Sequence, residues 1–74
     1  MPDIRAKENF VSHELVRVLR KIHSDVKEAW YDAENGNEYV YIELTCGQIR
    51  RVDVTGDGVA AILLDVAYAL DYEV

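Results

Sequence analysis

The amino-acid sequence predicts an α+β fold: a single small domain in the order α-β-β-β-α, its three-stranded antiparallel meander covered on one face by two helices. Three observations carry this expectation. An amphipathic stretch precedes residue 24, an Asn35-Gly36 dipeptide sits between alternating segments, and an apolar run follows Gly58. The whole of 1–74 is read as one domain, with helices at about 9–23 and 57–70 and strands at about 26–33, 38–45 and 48–54.

In the first helix, steps of roughly 100° gather Val11, Leu15, Val18, Leu19 and Ile22 on one side. His13, Glu14, Arg17, Arg20, Lys21 and Ser24 fall on the other. Asn9 or Ser12 offers an N-cap, and residues 3–8 can extend the helix backwards. His23-Ser24-Asp25 reads as a break, which makes Val26–Ala33 a strand rather than more helix.

Asn35-Gly36 between alternating residues is a strong hairpin signal, because a type I′ turn needs positive φ at both central positions. A two-residue turn there pairs Tyr31 with Val40 and Ala29 with Ile42 on one face. It sets Trp30 opposite Tyr41, and Asp32 opposite Tyr39, on the other. Glu28 then faces Glu43, a mildly repulsive pair. A two-residue turn at Cys46-Gly47 would bury Arg51 and Asp53, which is too costly. A three-residue loop, Thr45-Cys46-Gly47, with Gly47 left-handed and bulged, lets Val40 meet Val52 and brings Val54 to the same face.

The last helix is expected to be capped by Thr55 or Asp57 and to bury Val59, Ile62, Leu63, Val66 and Leu70. Its other side carries Ala60, Ala61, Leu64 and Tyr68, with Asp65 and Asp71 as the only charges. A helix apolar nearly all round needs cover on two sides.

A chain of 74 residues has a core of limited strength, so a staple or a partner is expected. The lone Cys46 forms no internal disulfide and fits a reducing cytoplasm. No apolar run is long enough to span a membrane, and MPDIRAKENF lacks a signal-like core. The formal charge is −6, and residues 28–74 set Arg50 and Arg51 against ten carboxylates. Such a surface repels a phosphate backbone, so direct nucleic-acid binding is not expected.

Asp53-Val-Thr55-Gly-Asp57-Gly58 matches the first half of a calcium loop. It resembles the DVNGDG opening of the dockerin repeats of cellulosomes, a resemblance that would make Asp53, Thr55 and Asp57 metal ligands. The twelfth position, which should supply a bidentate carboxylate, is Leu64, and the ninth is Ala61. The order of elements is also similar to that of the double-stranded-RNA-binding domain. Where that family carries lysines this chain has GDGVAAILLD, and RNA binding is rejected. His13 and His23 lie roughly 80° and about 15 Å apart on a helix, too far to share a metal. Cys46 has no neighbouring base, and Glu43 with Asp53 reads as a solvated pair. No catalytic residue and no cofactor is expected.

Two surfaces remain. One is the outer sheet face with Trp30, Tyr39, Tyr41, Ile49 and Arg51; the other is Ala61, Leu64 and Tyr68 on the last helix. The expected function is a non-enzymatic protein-interaction domain that self-associates as a homodimer, or that meets an unidentified protein partner. A different reading is an acidic nucleic-acid mimic that occupies a nucleic-acid-binding protein. Small phage-encoded inhibitors of CRISPR nucleases are similar to this chain in layout and charge.

Overall fold

In the computed structural model, residues 4–73 are described, with side-chain surroundings for residues 5–70. Residues 4–22 form one helix and Val59–Glu73 another, flanking strands β1 (Val26–Glu34), β2 (Asn37–Leu44) and β3 (Ile49–Asp53). The sheet is an antiparallel meander in the order β1-β2-β3. Both helices share one core with its inner face, built on Val11, Leu15, Val16, Leu19, Val26, Ala29, Tyr31, Val40, Ile42, Val54, Ile62, Val66 and Leu70.

The expected pairings hold throughout the meander. Ala29 faces Ile42, Tyr31 faces Val40 and Trp30 faces Tyr41. Val40 faces Val52 and Tyr41 faces Arg51. Asn35 and Gly36 take positive φ of 52° and 82°, as a type I′ turn requires. At the other hairpin, Leu44 N–H donates to Gln48 O at 2.8 Å, and Gly47 N–H to Leu44 O at 2.9 Å. Thr45-Cys46-Gly47 is therefore the loop, with Gly47 left-handed at φ 92°.

β1 has an irregularity that was not anticipated, a register shift between Val26 and Glu28. In a regular strand Val26 would share the outer face with Glu28 and Trp30. The extra residue turns Val26 inward beside Ala29, and both are buried. It also brings Lys27 Nζ within 4.0 Å of Glu43, which offsets the Glu28–Glu43 repulsion.

The first helix departs most from expectation. The backward extension is present from Ile4, so Asn9 lies inside the helix with φ −64° and makes no cap, and Ser12 is deeper still. Residue 3 lies outside the described residues. The middle, Phe10–Leu15, is a wide π-helical turn. Bonding to the fifth residue instead of the fourth advances less per residue than an α-turn. Positions four apart, Lys7, Val11, Leu15 and Leu19, thereby stay on one buried line. Val18 and Ile22 rotate out to become exposed, and Val16 takes their place in the core. Ser12 Oγ donates to Glu8 O at 2.9 Å, and His13 Nδ1 lies 3.0 Å from Asn9 O. Side chains so bonded four residues back accompany the altered ladder. The helix ends at Ile22, where His23 turns extended.

The last helix starts two residues later than expected. Ile62 N–H donates to Gly58 O, which makes Gly58 the boundary, and neither Thr55 nor Asp57 caps it. Ile62, Val66 and Leu70 are buried and Leu63 packs against them, whereas Val59 is exposed at the uncovered first turn. Asp71 lies outside the residues whose side chains are described. No helix among the described residues is long and apolar enough to cross a membrane.

Candidate functional site

The helices cover only the inner sheet face, so the outer one, set by strand alternation, is bare. Trp30 and Tyr41, directly cross-strand, stack with ring centres 5.7 Å apart and planes 11° apart. Offset-stacked aromatic pairs of this kind are favourable beyond their buried area. The Arg51 guanidinium sits 4.7 Å from the centre of the Tyr39 ring. Trp30, Tyr39, Tyr41 and Arg51 thus form one continuous patch across the three strands. Ile49 projects from the same face at the start of β3, 54% exposed. Glu28, Asp32, Glu43 and Asp53 share that face by register.

The second predicted surface is also present. On the last helix Leu64 is 70% exposed and Tyr68 63%. They stand four residues apart and so lie one above the other on the same side. Ala60 is exposed beside them and Ala61 is half-buried. Between Val59 and Leu70 this helix holds Asp65 as its single charged residue.

The polar node at the sheet's end was missed by the sequence reading. Lys7 is 4% exposed, and its Nζ meets Glu38 Oε1 at 2.5 Å. Tyr31 O–H donates to the same oxygen at 2.5 Å, and Gly56 N–H donates to Oε2 at 2.8 Å. Thr55 Oγ1 accepts from Glu38 N–H at 2.9 Å. One residue of β2 therefore gathers the first helix, β1 and the loop before the last helix. Bonds from Lys7, then Tyr31 and Gly56, hold the Glu38 carboxyl down at about 2. Burial, then the bond to Glu38, keeps the Tyr31 phenol protonated well above its ordinary range. A proton-transfer pair works best near the operating pH. These two groups are pushed away from neutrality in opposite directions, which suits a structural clamp.

The calcium-like segment folds as a closing loop. Asp53 Oδ1 accepts from Thr55 N–H at 2.9 Å and from Thr55 O–H at 2.7 Å, which lowers the Asp53 pKa. Asp57 turns instead toward Asp65 of the last helix. A hydrogen bond with Asp65, then burial, pushes the Asp57 carboxyl up to about 6. The three candidate ligands thus do not converge. Among the described residues no group of three or more His, Cys, Asp or Glu side chains could hold a metal ion. Cys46 is an exposed free thiol in its loop.

No family model, curated protein or solved structure matches the chain.

Proposed function

We propose that this chain is a non-enzymatic protein-interaction domain that forms a two-fold homodimer through its last helix. The observation that carries the reading is the exposed Leu64–Tyr68 pair on a helix whose opposite side already packs on the core. An isologous contact places this stripe against its own copy, and Ala60 and Ala61 let two helix backbones approach closely. The chain is small enough for the extra buried area to matter to its stability. The outer patch around Trp30 and Tyr41 is left for a protein partner. The free, exposed Cys46 supports a reducing, cytoplasmic setting.

Sedimentation or light scattering at micromolar concentration should return twice the 8.5 kDa chain mass. Leu64→Asp should return the single mass with an unchanged circular-dichroism spectrum. A parent protein that stays monomeric at tens of micromolar refutes the assembly.

A further inference from the structure

Between the first helix and the start of β1 runs a groove of about 720 Å³. Its floor is apolar, because Val16 and Ala29 meet there and both are buried. Trp30 closes one end as an aromatic wall. Along the helix side stand His13, Arg17 and Arg20, four and three residues apart and so on one stripe. Ser12 and His13 reach the rim from the wide turn at Phe10–Leu15. Single π-turns inside α-helices are rare and recur at functional sites. The volume is that of a small-molecule site, and an apolar lining with a few convergent polar groups is the usual make-up of one.

The charge of the lining is the reverse of the chain's. Arg17, Arg20 and Lys27 stand against the single carboxylate of Glu28, in a chain whose net charge is −6. Lys27 has a second carboxylate near it in Glu43, at 4.0 Å. Among the described residues Arg17 and Arg20 form no ion pair. Arg20 gives its bonds to neutral carbonyls, Nε to Val26 O at 3.3 Å and Nη2 to Lys27 O. Those bonds fix the guanidinium at the groove without neutralising it, so it is already placed for an anion. The basic strip is short. Beyond Trp30 the carboxylates of Glu8 and Asp32 act on Tyr31, which ends the attraction for a long polyanion. A compact ligand satisfies both limits.

We propose that this groove binds a small aromatic anion, a planar ring bearing a phosphate or carboxylate group. The ring lies on the apolar floor against Trp30, and the anionic group meets Arg17 and Arg20. Arginine presents paired donors to either oxyanion, so the lining accepts both. The groove shares no residue with the Leu64–Tyr68 stripe. The site therefore stands whether or not the chain dimerises through its last helix.

The probes are adenosine monophosphate and naphthoate, each titrated into the full isotope-labelled chain. The readout is the indole N–H resonance of Trp30, the only tryptophan, together with the amides from Ser12 to Arg20. At least one probe should saturate with Kd below about 1 mM, and the tighter of the two tells a nucleotide from an aromatic acid. The uncharged counterparts adenosine and naphthalenemethanol, and inorganic phosphate without a ring, should bind about tenfold more weakly or worse. Arg17→Gln should weaken the better probe by a similar factor. Lys21→Gln, on the same helix but outside the groove, should leave it unchanged, as should Leu64→Asp. Failure of both probes to saturate overturns the proposal. So does undiminished binding by Arg17→Gln, an equal loss in Lys21→Gln, or a short oligonucleotide that binds more tightly than either probe.

Discussion

Replacing Glu38 by glutamine keeps the shape of the side chain and removes its charge, leaving Lys7 buried without its counter-ion. Two routes give the cost. Holding the carboxyl at about 2 against an ordinary 4.5 corresponds to about 3 kcal/mol, at about 1.4 kcal/mol per pH unit. Removing one partner of a buried ion pair costs roughly 3–5 kcal/mol, because the surviving charge stays desolvated. Glu38 keeps 17% of its side chain exposed, which favours the lower figure, about 3 kcal/mol. A domain of this size is stable by roughly 4–11 kcal/mol, so the loss is large. It lowers Tm by roughly 12–24 °C. The assay is urea unfolding followed by Trp30 fluorescence, at one fixed protein concentration because a dimer's stability depends on it. Adding Lys7→Met to Glu38→Gln should restore much of the loss, since a buried pair replaced by apolar groups is often neutral. A loss under about 1 kcal/mol for Glu38→Gln, or no recovery in the double variant, refutes the clamp.

Stability should follow an arch against pH. Between 2 and 4.5 the unfolded chain holds more protons at Glu38, so stability rises with pH. Between 3.8 and about 6 the folded chain holds more at Asp57, so stability falls as pH rises through that window. Asp57→Asn should abolish the fall and stabilise the protein at pH 7 by about 3 kcal/mol at most; an unchanged or lower urea midpoint at that pH would contradict the Asp57–Asp65 pairing. The phase of the first helix is checked by two truncations. Leu19→Ala should cost about 2–5 kcal/mol, and Ile22→Ala, at an exposed position, no more than about 0.5 kcal/mol; comparable losses would show that the wide turn does not set the buried line.

What the sequence disclosed and what it hid divide along a physical line. The register of the meander was legible because alternation and positive-φ turn residues act locally, and because a one-residue slip would have buried Arg51 and Asp53. That register also placed Trp30, Tyr39, Tyr41, Ile49 and Arg51 together outside. The bulge in β1 had a signal that went unread: Val26 and Ala29 are three apart and both apolar, which a regular strand cannot bury together. The polar node had none of this kind. Lys7 meets Glu38 across 31 positions of chain, and a buried lysine looks like a solvated one until its partner is in place. Thr55 and Asp57 read as caps because their residue types suit the task. The loop spends them on Glu38, Asp53 and Asp65 instead.

The wide turn at Phe10–Leu15 separates two ends of one rod that answer to different neighbours. Before it, Lys7 must arrive at the azimuth of Glu38; beyond it, Leu19 must face the core while the chain prepares to reverse at His23. A uniform α-helix fixes the angle between those two positions by residue count alone. The surplus residue frees that angle, so the rod works like a vernier: each end is set against its own mark, and the mismatch is absorbed between them.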